Sequence, residues 1–450
     1  MDAFNENSNE QQAQQPIGCL HRFSKTIKVV IIGLLILLLM IPMFMIENLI
    51  SERGRTQEEA IDEVSEKWSL AQTITGPYLN LQYPVVTENN GEKKVSIKDL
   101  ILFPDELMVN GQLKTEILKR SIYEVNVYQS ELTLKGSFSS EELKKSRIDM
   151  DQLQFDRAAI CLNLTDMRGI SEQISITLGD SVYIFEPGMD NRGIANTGVH
   201  AIVNLSELKQ NKKLPYEIKI KLKGSQSLNF IPLGKTTRVD LKANWNTPSF
   251  TGNYLPNNRN ITEKEFSAQW QVLNLNRNYS QVMVDFNTPN IKDIESSSFG
   301  VNFKIPVEQY QQSMRSAKYA ILIILLTFGV IFFTEIMNKT RIHALQYLLV
   351  GLALCLFYSL LLSFSEHIGF NPAYLLSSAL TIILVGGYMF GITKRKKPSL
   401  IMSGLLGVLY LYIFVLIQLE TFALLTGSLG LFIILAMVMY FSKKIDWFNE

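Results

Sequence analysis

Two adjacent ionisable residues, Glu366 and His367, occur in the stretch LLSFSEHIGFNPAY between two long apolar runs. The chain has only four histidines, and an imidazole beside a carboxylate can exchange protons near neutral pH. Within a membrane such a pair would indicate a proton path, whereas at the turn between two helices it would face water. The flanking elements decide between these two interpretations.

A second set of candidate residues lies in the segment NWNTPSFTGNYLPNNRN. Trp245, Phe250 and Tyr254 give it a large aromatic surface, and residues such as Pro248 stiffen its turns. Aromatic side chains dominate the energetics of protein interfaces, so Trp245, Pro248, Phe250 and Tyr254 are the predicted contact for a partner. The alternative and commoner outcome is a long loop folded onto the edge of a sheet.

Sequence patterns typical of enzymes are absent. The chain contains no HExxH or CxxC metal motif, no G-x-S-x-G elbow and no glycine-rich phosphate loop. Asp149, Asp151 and Asp156 fit a solvated loop, and Asp166 with Arg168 fits a structural ion pair near a turn. We therefore expect a non-enzymatic protein with no metal ion or other cofactor.

Apolar runs of about 20 residues, long enough to cross a hydrocarbon core of about 30 Å, identify a membrane protein. One run lies near the start of the chain, and five follow residue 318. No charged residue lies near the centre of a run, which counts against a proton-driven pump. The six predicted spans are Ile27 to Ile46, Tyr319 to Ile336, Leu345 to Phe364, Asn371 to Ile392, Ser399 to Leu419 and Thr421 to Phe441.

The distribution of Lys and Arg in the short loops predicts the orientation. The overall charge is balanced, with 43 Lys and Arg against 42 Asp and Glu, so nothing favours a nucleic-acid partner. In the loops, however, basic residues fall on one side, in the segments before the first span, at 339–341, at 394–397 and at 443–444. By the positive-inside rule both termini are cytoplasmic, and residues 47–318 are external.

The external segment changes character along its length. Residues 47–76 have helical apolar spacing, which predicts an amphipathic helix ended by Gly76 and Pro77. From Tyr78 onward about ten segments alternate in polarity or are rich in β-branched residues, with turn signals between them. The predicted fold class is therefore an α+β membrane protein, with six transmembrane helices and a large antiparallel β-rich domain inserted between helices 1 and 2.

The predicted organisation has six parts. They are a disordered cytoplasmic tail (1–26), the first span (27–46), the amphipathic helix (47–76), the β-rich domain (77–318), a five-helix bundle (319–441) and a cytoplasmic C-terminal tail (442–450). The three cysteines fall in different compartments of this arrangement, so no intrachain disulfide is expected.

The stretch around Glu366 and His367 has the residues of a tight helical hairpin. Gly369 suits a left-handed residue that ends a helix, Asn371 can cap the next helix, and Pro372 fits its first turn. The pair is therefore expected at the external water interface. Its functional interpretation is a turn that responds to pH, and the simpler one is a solvated turn.

Several motifs resemble those of the CreD family of bacterial inner-membrane proteins. They include LILFPDELMVNG, TDMRGI, WNTPSFTGNYLP, the long stretch QYLLVGLALCLFYSLLLSFSEHIGF and the closing IDWF. The resemblance runs from the first span to the C-terminus. It implies a Gram-negative inner-membrane location, a periplasmic external domain, and a role in cell-envelope integrity, stress response and colicin tolerance. It implies no catalytic residues.

The sequence leaves three kinds of function open. The first is an envelope-maintenance factor whose periplasmic domain binds a protein or glycan partner, with the lipid bilayer and a second copy of the chain as further partners. The second is a transporter or lipid-handling channel formed by the helical bundle, which predicts a polar cavity between spans. The third is a sensor that passes a signal to another protein through the first two spans.

Overall fold

The computed structural model divides the chain into two compact units. Met1–Thr56 and Val307–Glu450 belong to the helical unit, and Gln57–Pro306 form the β-rich unit. The structure describes residues 24–89, 92–145, 148–189, 194–195, 197–210, 212–284, 288–303, 308–338, 341–419 and 423–443. Most of both predicted tails, together with Cys19 and Glu420, lies outside these ranges.

Ten α-helices occur in the described residues. They are α1 (Ser24–Trp68), α2 (Glu141–Lys145), α3 (Ser206–Lys209), α4 (Thr288–Ser296), α5 (Glu308–Lys318), α6 (Ala320–Asn338), α7 (Ala344–Ile368), α8 (Phe370–Thr393), α9 (Lys396–Gln418) and α10 (Ala423–Ser442). Two short 3-10 helices, Met167–Gly169 and Asn274–Asn276, interrupt the β-rich unit.

Five of these helices are long and apolar enough to cross a membrane, within the part of the chain that the structure describes. They are α1, α6, α7, α8 and α9, and they contain all but an end residue or two of each of the first five predicted spans. The helix α10 covers nearly all of the sixth apolar run, and its role as a sixth span stays a prediction. The helical unit therefore has the composition of a multi-pass bundle.

The helix that follows the first span was predicted to end at Gly76 and Pro77, and this prediction is wrong. The helix α1 runs without a break from the apolar segment to Trp68. Gly76 and Pro77 lie inside the first strand, where the pairing with a neighbouring strand is irregular. Thr73, Ile74 and Thr75 are β-branched residues that favour an extended backbone, so the strand begins before the Gly-Pro pair.

Seventeen strands occur in the described part of the β-rich unit, more than the ten or so predicted. They are β1 (Gln72–Asn89), β2 (Glu92–Leu102), β3 (Glu106–Arg120), β4 (Tyr123–Phe138), β5 (Ala158–Leu164), β6 (Ser175–Leu178), β7 (Ser181–Ile184), β8 (Glu186–Pro187), β9 (Gly198–Val203), β10 (Leu214–Ser225), β11 (Ser227–Phe230), β12 (Thr236–Ala243), β13 (Ser249–Gly252), β14 (Asn258–Ile261), β15 (Phe266–Leu273), β16 (Val282–Val284) and β17 (Phe299–Asn302).

The strands form two sheets that share one apolar core. A nine-stranded sheet has the order β13-β17-β11-β1-β5-β9-β8, with β2 paired to β1 and β16 paired to β2. An eight-stranded sheet has the order β14-β15-β12-β3-β4-β10-β6-β7. The pairing is antiparallel except between β1 and β11 and between β3 and β12. The α+β class with antiparallel-rich sheets is confirmed.

Buried and exposed residues alternate along the strands, and the buried ones form the apolar core between the two sheets. In β3 exposed and buried residues alternate from Glu106 to Thr115, as expected for a sheet with one face covered. Leu79 and Ile160 of the nine-stranded sheet belong to the same buried cluster as Val109 and Leu134 of the eight-stranded sheet. The two sheets therefore pack as a sandwich, and the opposite face of β3 is polar.

Candidate functional site

The turn between α7 and α8 is tighter than predicted. Gly369 has φ of +78° and ends α7, as its sequence position indicated. However, α8 begins at Phe370, so the prediction that Asn371 caps this helix is wrong. Because Gly369 alone joins the helices, Asn371 already lies in the first turn, where its side chain accepts a hydrogen bond from Gln418 Nε2 at 2.6 Å. Pro372 lies in that first turn, as predicted.

Glu366 and His367 have different surroundings although they are adjacent. The Glu366 side chain is only 11% exposed, and its Oε1 accepts a hydrogen bond from the Tyr310 hydroxyl at 2.9 Å. Arg53 Nε lies 3.9 Å from the same oxygen. His367 is exposed. The carboxylate thus contacts α5 and α1, and no sequence pattern indicates these contacts.

A second buried carboxylate, Glu335, lies near the end of α6. It forms an ion pair with Lys28 of α1 and accepts hydrogen bonds from the Ile342 backbone N–H at 3.1 Å and the Tyr347 hydroxyl at 3.1 Å. Lys28 also donates to the Ile342 carbonyl at 3.0 Å. Such complete pairing is what a buried charge requires. Lys28 belongs to the basic flank of the first span and Glu335 lies at the end of the second, so their placement at one end of the bundle could have been inferred.

These two clusters contact α1 near opposite ends of the segment that belongs to the helical unit. Lys28 and Arg53 are separated by about 37 Å at 1.5 Å per helical residue, which is close to the thickness of a bilayer. Between them, Leu39, Met43, Ile46 and Ile50 are buried at helical spacing. The first span is therefore attached to the bundle by an apolar seam with a charged contact near each end.

Aromatic and hydroxyl side chains fill the interior of the bundle. The ring of Phe357 contacts the rings of Tyr358, Tyr374 and Tyr410, with centroid distances of 4.5–5.4 Å. The Tyr374 hydroxyl donates to the Tyr410 carbonyl at 2.9 Å. The Tyr358 and Ser377 hydroxyls are buried and find no hydrogen-bond partner among the described residues. Close ring packing thus coexists with unsatisfied polar atoms.

The aromatic segment predicted to bind a partner lies against the core. Trp245, Pro248, Phe250 and Tyr254 are all half-buried. The Phe250 ring lies 5.7 Å from that of Trp270, the Tyr254 hydroxyl donates to the Asn276 carbonyl at 2.8 Å, and Trp245 Nε1 donates to the Thr247 carbonyl at 3.1 Å.

Much of the segment's aromatic surface is therefore used inside the domain. In contrast, Leu255, which follows Tyr254, is 66% exposed. Partner binding by this segment stays a prediction.

The predicted ion pair of Asp166 and Arg168 is present, with 2.9 Å between a guanidinium nitrogen and a carboxylate oxygen. Both side chains also bind the backbone near the C-terminal end of α1. Asp166 accepts a hydrogen bond from the Leu70 N–H at 2.9 Å, and Arg168 donates to the Glu66 carbonyl at 2.5 Å. Burial opposes ionisation of Asp166, but hydrogen bonds from Arg168 and from backbone N–H groups outweigh it and lower the pKa to about 2. The role of this pair is structural.

The polar face of the eight-stranded sheet carries a groove of about 280 Å³. It crosses β3, β4 and β10, and Ser171 also lines it. Lys221 in the groove pairs with Glu172 at 2.8 Å. The polar side chains that line it are Gln112, Lys114, Gln129, Ser130, Glu131, Ser171 and Lys221. Sequence reasoning missed this groove because its residues come from three separate strands.

Metal-ligating side chains do not converge in the described part of the chain. No group of three or more His, Cys, Asp or Glu residues in those ranges has a geometry that could hold an ion. His200 is buried, and its Nδ1 lies 2.7 Å from the Gly188 carbonyl.

A bundle of apolar helices, with a β-rich unit inserted in the sequence between α1 and α5, defines a multi-pass membrane protein. A family model described as Inner membrane protein CreD matches residues 24–448. The Inner membrane protein CreD of Escherichia coli (strain K12) is 32% identical over 420 residues, which are 92% of this chain and 91% of that protein. The chain therefore belongs to the CreD family of inner membrane proteins.

Proposed function

We propose that this protein is a non-enzymatic inner-membrane factor that supports cell-envelope integrity, and that its β-rich unit binds an envelope partner in the periplasm. Both termini are cytoplasmic in this proposal, and α10 is a sixth span. The distribution of Lys and Arg among the short loops supports this orientation. The family relationship supports the inner-membrane location.

The observation that carries the proposal is the groove on the eight-stranded sheet. Gln112 and Gln129 offer amide donors and acceptors, Lys114 offers a cation, and Glu131 offers an anion. A partner that matches both signs of charge and several neutral hydrogen bonds is polar and has no large net charge. A glycan with attached peptide and a polar protein loop both have this chemistry.

The test places a photoreactive amino acid in the groove of the full-length protein in intact cells. Replacements at Gln112 and Gln129 are compared with one at Gln271, an exposed residue of β15 on the same sheet. We expect a covalent adduct at Gln112 and Gln129 and none at Gln271. Digestion of the adduct by a muramidase or by a protease then identifies a glycan or a protein partner.

Two results would contradict binding in the groove. One is the absence of an adduct at both groove positions in cells where the protein is stably produced. The other is equal labelling at Gln271, since this would indicate random contact with the sheet. Envelope integrity is measured in the same strains by sensitivity to detergent, so that loss of the adduct can be compared with loss of function.

A transporter or lipid-handling channel is the competing proposal. The buried, unpaired hydroxyls of Tyr358 and Ser377 favour it, because buried polar groups without protein partners often bind water or a solute. Replacement Tyr358→Phe keeps the ring packing and removes one hydroxyl. A channel predicts a changed solute flux in proteoliposomes, whereas unchanged flux with retained stability argues for a packed bundle.

A further inference from the structure

A crevice of about 330 Å³ lies between the N-terminal part of α1 and the start of α7, within the helical unit. Lys28, His343 and Tyr347 form its polar part. Aliphatic side chains form the rest, and they are Ile27, Ile31, Ile32, Leu35, Ile342 and Ala344. The crevice thus joins a polar end to an apolar wall, which is the pattern that an amphiphile matches.

The polar end retains hydrogen-bond donors. The Lys28 ammonium has three N–H groups, and two of them serve Glu335 and the Ile342 carbonyl. His343 Nδ1 accepts a hydrogen bond from the Leu345 N–H at 3.2 Å, so its proton is assigned to Nε2. One N–H of Lys28 and the Nε2–H of His343 can therefore bind an anion without breaking the ion pair with Glu335.

The sequence around this end of the bundle is strongly basic. The start of α1, the residues just before α7 and the α8–α9 connection lie at one end, because Lys28 donates to the Ile342 carbonyl and α7 and α8 form an antiparallel hairpin. Among the described residues of these segments and the adjoining end of α6, Glu335 is the acidic one. The basic residues described there are Lys28, Arg341, Lys394, Arg395, Lys396 and Lys397. This excess of positive charge favours an anionic headgroup over a zwitterionic one.

The apolar wall belongs to a helix that has the length and composition of a membrane span. Ile27 and Ile31 are 42% and 39% exposed, so the wall is open to the hydrocarbon that surrounds the span. From Ile27 to Leu35 it extends about 12 Å along the helix. An acyl chain can follow it for that length.

We propose that this crevice binds one anionic phospholipid. The headgroup phosphate accepts hydrogen bonds from Lys28 and His343, and one acyl chain lies along Ile31, Ile32 and Leu35. Glu335 already links α1 to α7 through Lys28 and Tyr347, and the bound lipid adds a second link between these two helices. This site is separate from the groove of the β-rich unit and does not depend on the partner proposed there.

The test measures how many phospholipids the purified full-length protein retains in a nonionic detergent. Dioleoylphosphatidylglycerol is compared with dioleoylphosphatidylcholine by native mass spectrometry, and the melting temperature is recorded with each lipid. Inorganic phosphate alone is a third condition, which separates a lipid from a free anion. We expect the wild-type protein to retain the anionic lipid at least about tenfold better than the zwitterionic one, as a single tight contact allows.

Two tryptophan variants locate the site. Ile31→Trp fills the crevice, whereas Val30→Trp places the same side chain at a 58% exposed position of the same helix outside the crevice. Ile31→Trp should lower retention of the anionic lipid to that of the zwitterionic lipid, and Val30→Trp should leave it unchanged. The double variant Lys28→Gln with Glu335→Gln removes the cation without leaving a buried charge and should abolish the preference.

Each of three results overturns the proposal. They are equal retention of both lipids by the wild-type protein, wild-type retention in Ile31→Trp, and equal loss in both tryptophan variants. A rise in melting temperature with inorganic phosphate equal to that with the anionic lipid would likewise exclude a lipid site.

Discussion

Tyr310 donates a hydrogen bond to Glu366 at 2.9 Å, and this bond joins α5 to the end of α7. The Glu366 carboxylate is 11% exposed, so Tyr310 and the nearby Arg53 replace much of the water that it has lost. His367, one residue later, is exposed. Two adjacent residues that could have formed one site thus have different surroundings.

Glu366→Gln should therefore destabilise the helical unit more than His367→Gln. Loss of the charged acceptor should lower the free energy of unfolding by about 1–3 kcal/mol. A change at an exposed residue should alter the free energy of unfolding by no more than about 0.5 kcal/mol. Thermal melting of both variants in detergent measures this difference. Equal melting temperatures would show that the Tyr310 contact adds no stability.

The same variants test the proposed response to periplasmic pH. If His367 senses pH, His367→Gln removes the pH dependence of an envelope phenotype while the protein remains stable. A pH dependence equal to that of the wild-type strain would reduce His367 to a solvated residue of the turn.

Gly351 of α7 leaves room for Leu39 of α1. A Cβ atom at Gly351 would overlap Leu39 Cδ1 and lie 3.0 Å from Phe328 Cζ. Gly351→Ala should therefore cost about 1–3 kcal/mol through overpacking. The matched control is Gly404→Ala, where a Cβ meets nothing within 4 Å and the change should be neutral or slightly stabilising.

The double variant Leu39→Ala with Gly351→Ala identifies the cause. If the two side chains compete for one space, the double variant loses less stability than the sum of the single losses. Thermal melting of the four proteins gives the coupling directly. Strict additivity would show that the glycine serves some need other than contact with Leu39.

The two units differ in how much of them could be predicted from the sequence. Apolar runs predicted the first five membrane-crossing segments, each of which lies within a long helix except for an end residue or two, because membrane spans require about 20 consecutive apolar residues. The helix end at Trp68 was missed because the Gly-Pro pair is a strong breaker in sequence. The first strand nevertheless continues through Gly76 and Pro77, because its pairing with β5 is irregular between Thr75 and Tyr78.

The candidate sites were less accessible to sequence reasoning. The pair of Asp166 and Arg168 was predictable because its members are two residues apart. Lys28 and Glu335, and Tyr310 and Glu366, are 307 and 56 residues apart, and only the packing of helices brings them together. The groove residues Gln112, Gln129 and Lys221 meet through strand register, which alternating polarity does not specify.

Asp166 makes the stability of the β-rich unit depend on pH in the acidic range. Its pKa is lowered from 3.8 to about 2 in the folded chain. The lowered value stabilises the fold fully above pH 3.8, and this contribution is lost as the pH falls toward 2. Asp166→Asn should therefore cost about 2 kcal/mol at pH 7, and the difference from the wild type should nearly disappear at pH 2.

Hydrogen exchange of the segment around Leu70 in the full-length protein measures this effect. The matched control is Asp151→Asn, because Asp151 has an 81% exposed side chain and pairs with Lys209 at the surface. The control should exchange like the wild type. Equal protection of Asp166→Asn and the wild type at pH 7 would contradict the structural role of this carboxylate.

The aromatic segment permits a separate test of packing and partner binding. Phe250→Ala removes ring contacts with Phe266 and Trp270 and should destabilise the β-rich unit by about 2–3 kcal/mol. Leu255→Ser changes an exposed side chain and should alter stability by less than about 0.5 kcal/mol. If the segment binds a partner, Leu255→Ser weakens crosslinking from this loop while the fold is retained. Unchanged crosslinking would assign the segment to packing alone.

Labelling of introduced cysteines tests the proposed orientation. Leu275 of the β-rich unit is 88% exposed, and His367 and Lys396 are exposed residues near opposite ends of α8. With Cys19 replaced by Ser, Leu275→Cys and His367→Cys should react with a membrane-impermeant maleimide in intact cells. Lys396→Cys should react only after permeabilisation, because its basic loop is cytoplasmic in this orientation. Cys161 and Cys355 are buried and give a low background. Labelling of Lys396→Cys in intact cells, or protection of Leu275→Cys, would reverse the topology and place the groove in the cytoplasm.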